Sequence, residues 1–294
     1  MNKQLIKGYT FIIASAVIFG LMPLMAKFIY TEGVNPPTLV FLRNIISVPI
    51  LAILALATKN SLTIHSRAIL PISLIALMGC CITPLLLFSS YKHIPSGTAT
   101  VFHFIYPAVV ILGEAIFLKS KIKHAHWLSI FLCLAGIALF YNPDDSINLT
   151  GSILALLSGV TYALYIILLS GFKFKKIAGF TFSFYVASVC SLIMLIICVY
   201  TKQLMLPTSL KGWLWAFVFS VSLNVGAIVL FQKGTFLIGG ARASILSTFE
   251  PITSIFAGII VFNEAITLFT GIGAILVIGA SILIAIADIK NNLS

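Results

Sequence analysis

Ten apolar runs, most of them about 16 to 24 residues long, follow one another along the chain with short polar breaks between them. Runs of this length predict membrane-spanning helices, because a hydrocarbon core about 30 Å thick takes about 20 apolar residues at the helical rise. In lipid only helices and closed barrels satisfy every backbone group. Barrel strands would alternate polar and apolar residues over about ten positions, and these runs are continuous. The expected spans are Gly8–Ile29, Pro36–Ala57, Ala68–Tyr91, Ser96–Leu118, Ala125–Tyr141, Leu149–Leu169, Ile177–Tyr200, Gly212–Phe236, Gly240–Phe262 and Thr267–Ala287. Their connections are too brief for a separate soluble domain. The first run has full spanning length and lacks a small-residue cleavage pattern, so a retained helix is expected rather than a removed signal peptide.

Composition agrees with this reading. Of 294 residues, 60% are hydrophobic and 9% are charged, and the mean hydropathy is +1.15. So few charges could not cover the surface of a soluble domain. The net charge of +11 would suit nucleic acid, but the positive residues fall in alternate loops. One side receives Lys3, Lys7, Lys59, Arg67, Lys119, Lys121, Lys123, Lys173, Lys175, Lys176 and Lys290. The other carries Glu32, Lys92, Asp144, Asp145, Lys202, Lys211 and Glu264. Short cytoplasmic loops are enriched in Lys and Arg, so both termini are expected on the cytoplasmic side. The basic residues would meet anionic lipid heads, and no nucleic-acid partner is expected.

An odd number of helices per half makes the second half enter the membrane from the opposite face, the inverted-repeat plan of many secondary transporters. One shift of the chain by about half its length aligns Gly8 with Gly151, Ser15 with Ser158 and Leu21 with Leu164. A shift one position longer aligns Ile94 with Ile238, Ala99 with Ala243 and the mid-helix Pro107 with Pro251. Aliphatic identities carry little weight in a chain so rich in Ile, Leu and Ala. The proline pair carries more, since each removes a backbone hydrogen bond and bends its helix. The expected fold is an all-α membrane protein of ten transmembrane helices in two inverted five-helix repeats, residues 1–142 and 143–294.

Several stretches resemble a known family. Gly239-Gly240-Ala241-Arg242-Ala243, Phe249-Glu250-Pro251, Asn263-Glu264, Gly271 and Gly279 are similar to the second repeat of EamA-type members of the drug/metabolite transporter superfamily. Gly8, Gly20, Lys27, Arg43 and the segment from Ser96 to Pro107 follow the outline of the first repeat. One departure is Ser120, which stands in a lysine cluster where the first repeat would carry the acidic residue matching Glu264. The resemblance implies ten helices in two inverted repeats and movement of a small metabolite by alternating access. It also implies a bacterial inner (plasma) membrane location, and it names no substrate.

Polar residues inside the spans are the candidate site. Glu250 lies near the centre of its span, where an ionisable residue costs several kcal/mol unless it faces a cavity or a partner. It is a candidate for substrate binding or coupling, and a neutral, hydrogen-bonded Glu250 would also serve as a proton carrier. The alternative is a protonated Glu that only joins helices. Arg43, about a third of the way into the second span, can bind a carboxylate or phosphate bidentately, pair with Glu250, or snorkel. His103 precedes Pro107 by one turn and can shuttle protons, bind substrate or sit satisfied between helices. Asn224 and Gln232, two turns apart on nearly one face, can bind a polar solute or join helices. Phe19, Phe88, Tyr106, Tyr162, Tyr165 and Tyr185 are candidate cavity aromatics. Lys27 and Glu114, nearer the ends of their spans, read as interfacial residues or a gate pair. Pro107, Pro251, Gly239 and Gly240 are candidate hinges, and Gly271, Gly273 and Gly279 permit close helix packing.

Enzyme chemistry finds no support: the chain has no GxxxxGK[ST] loop, HExxH pair or GxSxG turn. His124 and His126 lack acidic neighbours and read as interfacial residues, so neither a metal nor a cofactor is expected. Cys80, Cys81, Cys133, Cys190 and Cys198 all fall inside spans and read as buried small hydrophobes. The expectation is a secondary transporter of an amino acid or similar zwitterionic or amphipathic solute, exporting it with protons or an exchange partner as candidate coupling. A channel or uniporter, or uptake or exchange of a nucleotide-like metabolite, is the alternative. One chain contains both halves, so a monomer should suffice, with a dimer as the other arrangement.

Overall fold

The computed structural model describes residues 3–117, 124–139, 148–171, 177, 179–262 and parts of the segment 268–283. Among these, eight helices are long and apolar enough to cross a membrane. We label them α1 (Lys3–Tyr30), α2 (Pro36–Ala57), α3 (Ser66–Ser90), α4 (Gly97–Phe117), α6 (Leu149–Gly171), α7 (Gly179–Tyr200), α8 (Leu210–Ile238) and α9 (Arg242–Val261). The positions expected for the fifth and tenth spans hold two shorter apolar helices, α5 (Trp127–Gly136) and α10 (Gly271–Ala280). The lysine clusters around 119–123 and 173–176, together with Ser120, Asp144, Asp145, Asn263, Glu264 and Lys290, lie outside the described residues.

Among the described residues three helices are broken, each just ahead of a proline. Helix α1 divides at Leu21 before Pro23, into Lys3–Gly20 and Met22–Tyr30. Helix α4 divides into Ser96–His103 and Tyr106–Phe117, with Pro107 in the first turn of the second piece. Helix α9 divides into Gly240–Leu246 and Phe249–Phe262, with Pro251 in the same place. Each ring lacks the N–H that the carbonyl four residues earlier would need and crowds that carbonyl. The breaks at Phe104–Ile105 and Ser247–Thr248 stand one repeat length apart, so the proline pair marks a shared structural feature.

Two helices carry a second repeated irregularity. A π-helical turn occupies Ala76–Ile82 in α3 and Val221–Ala227 in α8, again close to one repeat length apart. In each the following residue bonds five positions back, Thr83 N–H to the Met78 carbonyl and Ile228 N–H to the Leu223 carbonyl. The Thr83 hydroxyl also donates to the Met78 carbonyl, at 2.7 Å, and Pro84 supplies no N–H to continue the α-helical register. Single π turns of this kind gather at functional sites.

The halves interdigitate through close contacts between small and branched residues, as membrane helices do where no hydrophobic drive separates them from lipid. A β-carbon on Gly8 in α1 would lie 2.5 Å from Ile238 Cγ2 in α8, and one on Gly151 in α6 would lie 2.9 Å from Ile94 Cγ2, just ahead of α4. These are the residues that the sequence pairs as Gly8 with Gly151 and Ile94 with Ile238, now touching crosswise. Hydrogen bonds repeat the pattern. The Thr38 hydroxyl at the start of α2 donates to the Gln203 carbonyl at 2.9 Å, and the Thr181 hydroxyl at the start of α7 donates to the Ser61 carbonyl at 3.0 Å. To within one position, Thr181 is the repeat equivalent of Thr38 and Gln203 that of Ser61. Helices α2 and α7, packed along each other, are therefore clasped by equivalent bonds.

Candidate functional site

A cavity lies among α1, α2, α3, α4, α6, α8 and α9, where the breaks and one π turn converge. The space free of protein atoms there, with the open solvent at its mouth counted in, is about 460 Å3. Six residues singled out in the sequence line it: Phe19, Arg43, His103, Tyr162, Tyr165 and Glu250.

The broken helices position the ionisable groups. Glu250 stands in the first turn of Phe249–Phe262, and its N–H bonds to the Ser247 carbonyl at 2.8 Å. A carboxyl group in that first turn stands near the partial positive charge of the helix start. His103 ends the first piece of α4. Its Nδ1 is 2.8 Å from Ser158 Oγ, and the Ser158 hydroxyl donates to the Ala155 carbonyl at 2.6 Å. With its one proton so used, Ser158 accepts from Nδ1–H, and a neutral His103 keeps its lone pair on Nε2. Glu250 and His103 are 4% and 3% exposed.

Arg43, 3% exposed, is held through its backbone. Its carbonyl accepts from Ser220 Oγ at 2.6 Å and Asn224 Nδ2 at 2.8 Å, tying α2 to α8. Its guanidinium carbon lies 5.8 Å from the Phe88 ring centroid, a cation–π distance. Its Nε is buried without a hydrogen-bond partner among the described residues. Arg43 and Glu250 line the same cavity. An unpartnered N–H on one wall and a carboxyl group on another can receive the two ends of one solute.

An aromatic wall completes the cavity. Tyr162 stacks on Tyr165 at 5.4 Å between centroids and lies 5.2 Å from the His103 ring. Gly79 makes room for this wall, since a β-carbon there would sit 2.2 Å from Tyr165 Cδ2.

Other sequence candidates sit behind this lining. Tyr106, fully buried, meets the Tyr162 ring edge-on at 4.8 Å. Phe88 is fully buried beneath Arg43. Asn224 also donates toward Asn44 Oδ1 and Ser47 Oγ, both at 3.0 Å, and so joins helices. Gln232 accepts from Ser183 Oγ at 2.6 Å, and the Tyr185 hydroxyl donates to the Leu62 carbonyl at 2.6 Å, at the α2–α3 loop. Glu114 Oε1 accepts from Ser170 Oγ at 3.2 Å and packs against Gly240, while Lys27 lies in the last turn of Met22–Tyr30. Gly239 joins α8 to α9 with φ +87°. No group of three or more His, Cys, Asp or Glu arranged for a metal occurs among the described residues, and the His126 side chain lies outside them. Met22, Gly79, Thr83, Pro84, Leu87 and Ile228 line the cavity without having stood out in the sequence, and so does Cys80, which reads there only as a buried small hydrophobe. The Thr83-Pro84 pair in mid-span was the available signal.

The EamA-like transporter family model matches the chain twice, over residues 6–142 and 149–286. The chain belongs to the EamA-like transporter family. It is thus a multi-pass membrane protein built from two family repeats. An uncharacterized transporter of Clostridium kluyveri is 23% identical over 97% of this chain and 95% of its own length. The uncharacterized transporter YcbK of Bacillus subtilis is 25% identical over 92% and 90%. An uncharacterized transporter of Haemophilus influenzae is 32% identical, over 48% of this chain, and the chain spans about half the length (46%) of that relative. A solved crystal structure shares the fold at TM-score 0.73 with 16% identity, covering 95% of this chain and 96% of the other. The EamA-like resemblance of the Glu250-Pro251 and glycine motifs is therefore met at the level of the family.

Proposed function

We propose that this EamA-like protein is a secondary active transporter that exports a small zwitterionic or amphipathic metabolite, an amino acid or similar solute. The cavity carries this reading: it gathers one guanidinium edge, one carboxyl group, one imidazole and a stacked tyrosine pair where three helices break. A solute carboxylate would meet Arg43 in a charge-assisted contact. Its ammonium group would meet Glu250, and its body would lie against Tyr162 and Tyr165. Uniform binding of this kind selects a solute, and transport further requires that the site open alternately to each side.

The repeated breaks support a mechanism for that step. Two inverted five-helix units, with both termini cytoplasmic, would rock about the Pro107 and Pro251 breaks while the α2–α7 pair stays clasped. Glu250 would exchange its proton as it changes access, with an exchange partner as the other source of drive. The unit works as a monomer in a bacterial inner membrane.

The test is counterflow in proteoliposomes with a panel of radiolabelled amino acids and related metabolites, with and without a pH gradient. Saturable counterflow of at least one zwitterionic solute is expected. Rapid, non-saturating conductance would replace the carrier with a channel.

A further inference from the structure

The two π turns are tied to their neighbours by different chemistry. In α8, Asn224 Nδ2 donates toward Ser47 Oγ of α2 at 3.0 Å. The repeat-equivalent positions in α3 and α7 are Cys80, one repeat length before Asn224, and Cys190, one repeat length after Ser47. There the contact is made by sulfur. Pro84 has no N–H for the Cys80 carbonyl, and Cys190 Sγ lies 3.0 Å from that carbonyl oxygen. Cys81 Sγ lies 2.9 Å from Cys190 Sγ, inside van der Waals contact and within about 1 Å of the bonded S–S distance of about 2.05 Å. Both thiols are free, with 1% and 0% of their residues exposed.

We propose that Cys81 and Cys190 are a redox modification site whose reversible disulfide fixes the π turn of α3 to α7. The oxidant is a lipid-soluble two-electron acceptor of the quinone class. Two S–H bonds break and one S–S bond forms, and two electrons and two protons pass to the quinone, which leaves as the hydroquinone. Cys80, next in sequence, lines the cavity, so the site adjoins a route by which a small acceptor can approach. The α3 turn carries Gly79 and Cys80 into the cavity wall. A covalent tie there would hold that wall in one arrangement, whereas the Asn224 tie in α8 is a hydrogen bond that no oxidant alters. Reduction by a dithiol restores the two thiols and the freedom of the turn.

The consequence for activity rests on the transporter reading, while the thiol chemistry is measured independently of it. The purified full chain in lipid nanodiscs is exposed to tetramethylbenzoquinone, which has no free ring position for thiol addition, or to a diazenedicarboxamide oxidant. Thiols are then counted after denaturation, and cross-linked peptides are identified by mass. The expected result is loss of two of the five thiols, a peptide joining Cys81 to Cys190, and return of both thiols with dithiothreitol. Cys81→Ala and Cys190→Ala should each abolish the loss. Cys133→Ala and Cys198→Ala should leave it, which separates the chemistry from any folding defect of one variant. Five intact thiols after both oxidants overturn the proposal. In proteoliposomes that transport a panel solute, oxidation should lower the rate at least tenfold and dithiothreitol should restore it. A disulfide that forms without changing that rate overturns the lock.

Discussion

The Glu250 carbonyl oxygen lies 2.6 Å from where a β-carbon on Gly20 would sit, and Thr253 Cβ lies 2.5 Å from the same point. The break in α1 and the break in α9 therefore meet face to face, and only the missing side chain allows it. The other repeat has a matching contact, where a β-carbon on Gly159 would come within 2.4 Å of the His103 carbonyl oxygen. Both contacts bring the backbone of a broken helix against the first helix of the opposite half, next to a cavity residue.

Gly20→Ala is expected to overpack this crossing and lower stability by about 1–3 kcal/mol, with a fall in transport because Glu250 moves with its backbone. Gly226→Ala is the control, since its β-carbon would meet Ile18 Cδ1 at an ordinary 3.5 Å. Unfolding midpoints in detergent should separate the two variants. Equal midpoints would remove the close approach from the account.

The crosswise contact of Gly8 with Ile238 predicts coupling. Gly8→Ala should destabilise, and Ile238→Ala in the same chain should recover part of the loss by vacating the space. A double-mutant cycle should give an interaction energy of about 0.5–3 kcal/mol. Strict additivity would mean that the two residues do not touch.

The chain between α8 and α9 turns at Gly239 with φ +87° and ψ 163°, a conformation almost confined to glycine. Gly239→Ala should cost about 1–3 kcal/mol, whereas substitutions at Leu237, two residues earlier and 37% exposed, should change stability little. Thermal unfolding of the two variants in the same detergent checks this.

Asn224→Leu should loosen α2 from α8. It removes donors from the Arg43 carbonyl, Asn44 Oδ1 and Ser47 Oγ, and a buried acceptor left unpaired costs about 1–3 kcal/mol. Backbone amides in Val221–Ala227 should then exchange hydrogen faster, and those in Ala76–Ile82 should not.

Much of this fold was legible because lipid imposes length and apolarity on every crossing helix. The proline pair was readable too, since Pro107 and Pro251 act on backbone hydrogen bonds whatever surrounds them. The weak identities Gly8 with Gly151 and Ile94 with Ile238 gained meaning only when the structure placed each glycine against the other pair's isoleucine. The π turns were hidden, because one extra residue in a uniformly apolar run leaves no trace in hydropathy. That extra residue also resets the rotation of everything beyond it. Asn224 and Gln232, two turns apart and on nearly one face by α-helical spacing, thus turned to Asn44 and Ser183 in neighbouring helices. Polar residue type can mark a buried group, but the helix rotation decides whether it meets a solute or another helix.

The most direct test of the account is gradient-driven transport by Glu250→Gln in proteoliposomes, beside wild type at equal inserted amount. Glutamine keeps the shape and hydrogen-bonding capacity of the carboxyl group but holds no exchangeable acidic proton and no charge. Expression and insertion should be normal and transport abolished. Transport at the wild-type rate would contradict it.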